Sequence, residues 1–338
     1  MFAIPLGPVL LLCWIVCSCS PGADPPPARA ALAPAVVPSP AAELREQRRP
    51  VIDALVSTLR DRYVDLARAE QIISAIEERW QRGAYDSLVE DEAFAAAITA
   101  DLRASSQDEH LELGVPRPEA APPAPRRPGN FGFGESQRLS GNVALLPIFG
   151  FARQEREPAR RALAEALSGV ADAAALILDL RENDGGVAPT MAIVLSYLLD
   201  GAPLPLMRVE RRYDGGSYEL WTQAEVEGTR FGASKPLYVL TSARTFSAGE
   251  AFAAQLQARK RALLIGETTR GGNGLVERRE LGAGFMLTIP VAIAISPLTQ
   301  QSRKGPVVPD VPLPAEQALE EAHRRALEAL ARGSSSSG

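Results

Sequence analysis

Thr241-Ser242-Ala243-Arg244-Thr245-Phe246-Ser247-Ala248-Gly249-Glu250 is the stretch whose reading decides what this chain is. It follows an apolar run, Pro236-Leu237-Tyr238-Val239-Leu240, and opens a segment from Ala248 to Ala258 that is free of Gly and Pro after Gly249. The pattern predicts a buried strand turning sharply into a helix, with Ser247 at the turn. A hydroxyl there meets the positive end of the helix dipole and unpaired backbone N–H groups, both of use to an oxyanion. A serine at a helix start also serves as a plain N-cap. The stretch alone does not separate the two roles.

Three further segments supply context. Ala175-Leu176-Ile177-Leu178-Asp179-Leu180-Arg181-Glu182-Asn183-Asp184-Gly185-Gly186 is an apolar strand ending in a glycine-closed turn, which lets backbone N–H groups approach a ligand closely. Leu263-Leu264-Ile265-Gly266-Glu267-Thr268-Thr269-Arg270-Gly271-Gly272 repeats the theme of strand and glycine-rich turn. Gln107-Asp108-Glu109-His110-Leu111-Glu112-Leu113 carries one of only two histidines in the chain. The other, His323, lies in Glu316–Arg325, a charged stretch that reads as a C-terminal helix, and is expected at the surface.

From about Arg49 to Ala331 this ordered set of motifs resembles the tail-specific, or C-terminal-processing, serine peptidases, in the branch that includes interphotoreceptor retinoid-binding protein and the tricorn core protease. The resemblance rests on Gly83-Ala84-Tyr85-Asp86, Asp108-Glu109-His110-Leu111, Gly141-Asn142-Val143, the Asp179–Gly186 turn, Thr241–Glu250, Gly266-Glu267-Thr268, Pro290 and Val308-Pro309-Asp310. It implies an α/β fold: a crotonase-like and Clp-protease-like β/α spiral core behind a small N-terminal helical bundle. It also implies Ser247 as nucleophile, His110 as general base, and Gly185 or Gly186 with Ala248 as oxyanion donors. Chemistry agrees, since a serine hydroxyl is a poor nucleophile until an imidazole takes its proton. The other branch of the family uses a lysine in a Gly-Lys-Gly turn; here that turn reads Gly271-Gly272-Asn273-Gly274, so the histidine assignment gains weight.

One departure stands out. The histidine branch carries a supporting glutamate near the C-terminal end, and the best match here, Ser302-Arg303-Lys304-Gly305-Pro306, puts Lys304 in its place. A lysine cannot orient an imidazole or stabilise its protonated form as a carboxylate does. Either Asp108, Glu109 or Glu267 substitutes, or turnover is slow, or the protein binds a peptide or apolar ligand without cutting. An esterase is a weaker third reading.

Composition limits the alternatives. Net charge is −5 over 338 residues with no basic stripe, which argues against a nucleic-acid partner. All three cysteines, Cys13, Cys17 and Cys19, precede residue 20, so the body has no thiol nucleophile, and with two histidines no metal or other cofactor is expected. Residues 1–19 read as an export signal whose Val16-Cys17-Ser18-Cys19 end resembles a bacterial lipobox, with Cys19 as the lipidated residue. That predicts an exported protein of the cell envelope or periplasm, a membrane-anchored lipoprotein or, with a plain secretory signal, a secreted form, acting on a peptide or protein substrate.

The expected organisation is a Pro/Ala-rich tether over 20–43, a helical cap over 44–115, a proline-rich linker over 116–140, a catalytic core over 141–332 and a disordered tail over 333–338. The linker leaves no room for a separate peptide-binding domain, which needs at least roughly 50 residues. About three amphipathic helices follow from the spacing of Val51, Leu55, Leu59, Ile72, Ile73, Ile76, Phe94, Ile98 and Leu102. Core strands are expected at 143–148, 176–180, 204–209, 237–240, 263–265 and 285–294, and helices near 157–167, 190–199 and 248–257.

Overall fold

The computed structural model describes residues 39–115, 131–152, 157–272, 274–303 and 305–335. The segment read as an export signal with Cys19, most of the stretch read as a tether, Pro116–Pro128, Asn273, Lys304 and the last three residues lie outside them.

Three helices come first: α1 (Pro40–Arg62), α2 (Leu66–Gln81) and α3 (Asp91–Ser106). α1 begins inside the segment read as tether, because Ser39 caps it by accepting from Ala42 N at 3.3 Å and Pro40 fits the first turn, where no N–H is needed. Asp65 caps α2 in the same way, accepting from Arg68 N at 3.0 Å. The expected apolar positions, from Val51 and Leu55 to Ile98 and Leu102, are buried together. α3 stops at Gln107, whose left-handed φ of 56° turns the chain back toward the strand β1 (Glu112–Gly114). His110 sits on this short connection.

The remaining elements are β2 (Gln137–Leu139), β3 (Val143–Pro147), α4 (Glu157–Ser168), β4 (Ala175–Asp179), α5 (Ala188–Leu198), β5 (Pro205–Arg211), β6 (Ser217–Trp221), β7 (Leu237–Thr241), α6 (Ala248–Ala258), β8 (Leu263–Gly266), β9 (Leu275–Gly282), β10 (Phe285–Ile295), β11 (Val311–Pro312) and α7 (Ala318–Ser335). They build two sheets. One runs β11-β8-β7-β4-β3-β2, parallel except for the antiparallel β2–β3 pair. The other is antiparallel, β1-β10-β5-β6, with β9 also paired to β10.

The parallel strands are continuous apolar runs because both faces are covered. Val143, Leu145, Ile177, Tyr238, Leu240 and Ile265 point to one face, where Ala318, Ala322 and Ala326 of α7 lie against them at helical spacing. Ala144, Leu146, Leu176, Leu178, Leu237, Val239 and Leu264 point to the other, into the main core. This alternation within all-apolar strands is the period of two written without polar residues.

Two expectations need correction. α7 continues through Gly333 to Ser335, where a disordered tail was expected. His323 is half-buried rather than a plain surface residue, since its Nε2 lies 3.0 Å from Ser140 O and ties α7 to the turn before β3. Among the described residues no helix is long and apolar enough to cross a membrane.

Candidate active site

The C-terminal ends of β4 and β7 lie side by side, and their turns are knitted together. Asn183, fully buried, donates from Nδ2 to Ile148 O at 2.9 Å, accepts at Oδ1 from Gly185 N at 2.9 Å, and accepts at its carbonyl from Phe246 N at 2.9 Å. Thr245 Oγ1 accepts from Ser242 N at 3.0 Å and donates to Leu180 O at 2.8 Å. These bonds force the chain from β7 into α6 through a tight corner. Ser247 stands at that corner with φ 53° and ψ −115°. A residue with a Cβ strained in this way costs roughly 1–3 kcal/mol and persists only where its surroundings hold it.

The hold is Glu250, fully buried one turn into α6. Its Oε2 accepts from Ser247 N at 2.9 Å and Gly272 N at 2.7 Å, while Oε1 accepts from Thr269 Oγ1 at 2.5 Å and Gly271 N at 2.8 Å. Sequence reasoning stops at Ser247 and overlooks this carboxylate. The available signal was a glutamate three residues after a capping serine.

His110 reaches Ser247 across the boundary between the helical segment and the sheet. Its Nε2 lies 3.2 Å from Ser247 Oγ, and its Nδ1 lies 3.2 Å from Asp108 Oδ1. The same Asp108 oxygen accepts from His110 N at 2.9 Å, so the carboxylate fixes both the backbone and the ring of the histidine. A carboxylate only accepts, so Nδ1 carries the proton and Nε2 presents its lone pair to the serine hydroxyl. The His110 side chain is 5% exposed, with its ring centroid 4.7 Å from that of Phe246. Burial and the nearby charge of Asp108 push the Tyr63 hydroxyl well above the usual tyrosine range, which keeps this neighbour neutral.

The glycines separate by role. Gly185 has φ 102°, and a Cβ on it would stand 2.8 Å from Ser247 Cβ and 3.3 Å from Ala248 N, so only glycine lets this turn close over the serine. Its N–H is already given to Asn183. Gly186 and Ala248 each present an N–H with no acceptor among the described residues. Gly272 makes room for two rings: a Cβ there would collide with Phe246 Cε2 and stand 2.7 Å from His110 Cε1.

Of the three carboxylates named as substitutes, only Asp108 touches His110. Glu109 pairs with Arg270 at 3.2 Å and Arg103 at 3.7 Å. Glu267 accepts from Ala243 N at 3.1 Å and Ala315 N at 3.3 Å, fastening the turn after β8 to the C-terminal segment. Among the described residues no group of His, Cys, Asp and Glu side chains could hold a metal ion.

Residues 142–313 match the model of peptidase family S41. The chain belongs to that family. Residues 33–136 match the N-terminal domain of peptidase S41 in eukaryotic IRBP. Carboxyl-terminal-processing peptidase 2 of the Arabidopsis thaliana chloroplast is 31% identical over 182 residues, which cover 52% of this chain and 34% of that protein. The chain spans 29% to 34% of the length of the first curated relatives it matches. A structure from Parabacteroides merdae superposes with a TM-score of 0.61 at 14% identity, covering 82% of this chain and 96% of that one. The tricorn protease superposes with a TM-score of 0.54 at 14% identity over 85% of this chain and 37% of its own. The S41 chain therefore has the Clp-protease-like β/α fold expected from its motifs.

Proposed function

We propose that this chain is a serine endopeptidase acting on unstructured peptides or protein tails in the bacterial cell envelope. The observation that carries the reading is the hydrogen-bonded line from Asp108 through His110 to Ser247 at the strained start of α6. His110 Nε2 takes the hydroxyl proton as Ser247 Oγ attacks the scissile carbonyl carbon. The oxygen that gains the charge is held by Ala248 N–H and Gly186 N–H, since Gly185 N–H is engaged by Asn183. Collapse of the tetrahedral species breaks the C–N bond, and the amine leaves with the proton from His110. Water then repeats the sequence on the acyl-serine, with His110 again taking and returning a proton. The 3.2 Å serine–histidine distance is that of a free enzyme, whose catalytic hydrogen bonds tighten on the substrate.

Asp108 takes the part that a glutamate near position 304 has in related sequences. That supports turnover over the binding-only reading, which drew its force from the missing carboxylate. Residues 1–19 act as an export signal, Cys19 bears the lipid, and the Pro/Ala-rich stretch holds the enzyme off the membrane. Substrate choice rests on the cleft between the helical segment and the sheets.

The test is incubation of the purified chain with unstructured peptides and with ester analogues, with the products mapped by mass. Peptide bonds cut by the unchanged chain and left intact by Ser247→Ala establish the peptidase. Ester cleavage with intact peptides moves the assignment to an esterase, and binding without cleavage of either moves it to a binding protein.

A further inference from the structure

Arg303 immediately precedes the position at which the supporting glutamate was expected, and its side chain, 25% exposed, turns inward beneath the histidine. Nη2 donates to Gly272 O at 2.5 Å, and Nη1 donates to Gly305 O and lies 3.6 Å from Glu250 Oε1. Gly272 is the residue whose missing side chain admits the Phe246 and His110 rings, and it is bonded on its other side to Glu250 Oε2, the oxygen that also holds Ser247 N. A second tie runs parallel: Thr269 N donates to Val307 O at 3.0 Å, and Val307 N donates to Thr269 Oγ1 at 2.7 Å. The serine backbone, the surface under the imidazole and the C-terminal segment therefore meet at one buried carboxylate and one guanidinium.

We propose that Arg303 is a positioning residue, which with Glu250 holds the Gly271–Gly272 turn against His110 and so sets the imidazole-to-Ser247 distance. The proposal rests on the peptidase reading for its catalytic consequence but not for its geometry. Its chemistry is specific to arginine. One guanidinium binds two backbone carbonyls, Gly272 O and Gly305 O, through its fixed fork while its charge lies 3.6 Å from Glu250 Oε1, which a lysine ammonium on a flexible stem cannot reproduce. Glu250 offers four acceptor directions, all taken by N–H or O–H donors, so the Arg303 charge balances a buried anion that the backbone alone would leave uncompensated.

The experiment compares Arg303→Met and Arg303→Lys with the unchanged chain. It measures the rate of fluorophosphonate labelling across pH and the ¹⁵N resonances of the His110 ring, with near-UV circular dichroism as the check on folding. Displacement of a catalytic group by about 1 Å costs on the order of 10²-fold, so labelling of Arg303→Met is expected to slow by about that factor. Arg303→Lys falls in between, and the His110 resonances shift in both. Native-like variants that label at the unchanged rate with unmoved His110 resonances overturn the proposal. If the unchanged chain does not label, the peptidase reading fails, and the ring resonances alone decide: shifted in Arg303→Met they uphold the positioning role, unmoved they overturn it. If Arg303→Met does not fold, Arg303→Lys decides on the same two readouts.

Discussion

Asp108 meets His110 twice through a single oxygen, at the backbone N–H and at Nδ1, and in the proposed mechanism this compact arrangement does the work of a carboxylate brought from elsewhere in the chain. Changing Asp108 to Asn leaves the shape but offers Nδ1 a donor or a weaker acceptor, which favours the wrong tautomer. The corresponding change in the best-studied serine triad costs about 10⁴ in turnover. Peptide cleavage by Asp108→Asn is expected to fall by on the order of 10²–10⁴, whereas Glu109→Gln and Glu267→Gln stay within about tenfold of the unchanged chain. A large loss in either glutamate variant with Asp108→Asn unaffected would reassign the carboxylate. Gly272→Ala is the complementary change. Its new Cβ presses on Phe246 Cε2 and His110 Cε1, so cleavage drops by about 10²-fold while Glu250 keeps its backbone partners. Unchanged cleavage in a folded Gly272→Ala protein would mean that the ring has room the geometry denies. Ser247 and His110 were legible as residue types in a familiar order, and Asp108 only as one of three carboxylates left open beside Glu109 and Glu267. Glu250, Gly272 and Asn183 were not, because their work is done through backbone N–H groups and absent atoms, which one sequence does not display.

The elements that sequence patterning finds are those with a sustained apolar run or a clear helical period. β4 and β7 are unbroken apolar runs, and α6 and α7 show helical spacing. β9 escapes notice because Leu275-Val276-Glu277-Arg278-Arg279-Glu280-Leu281-Gly282 breaks its apolar pattern with consecutive charges, and its register against β10 makes it a strand. β1, β2 and β11 are too short for any period to register. α7 carries an electrostatic prediction of its own. Hydrogen bonds from Arg324 and Arg325 hold the Glu321 carboxyl from its ordinary 4.5 down to about 2. A carboxyl whose folded value is depressed stabilises the fold above its unfolded value, and that contribution is lost as pH falls from about 4.5 toward about 2. Melting temperature of Glu321→Gln should therefore lie slightly below that of the unchanged chain at neutral pH, and the gap should close on acidification and in high salt. A gap independent of pH would detach this ion pair from the stability of the helix.

At the scale of the whole molecule, His110 and Ser247, the proposed base and nucleophile, come from different parts of one body. His110 rides on the connection between α3 and β1, and Ser247 on the corner between β7 and α6. The two parts are joined by main-chain and core contacts: Val64 N donates to Pro290 O at 3.0 Å, Arg212 Nε donates to Tyr63 O at 2.7 Å, and Phe94 meets Phe285 edge-on with centroids 5.5 Å apart. Residues from Ser39 onward are expected to unfold in one transition, with secondary structure and fluorophosphonate reactivity lost together. Phe94→Ala should lower stability by about 3–5 kcal/mol. Two separated transitions would mean that the helical segment melts from the sheets on its own, taking the base with it.

The most direct test of the central claim is intact-mass detection of a fluorophosphonate adduct on the unchanged chain, Ser247→Ala and His110→Ala. The account predicts one adduct per unchanged molecule, none on Ser247→Ala, and labelling of His110→Ala reduced to background. An adduct that persists on Ser247→Ala, or a well-folded unchanged chain that takes none, would contradict it.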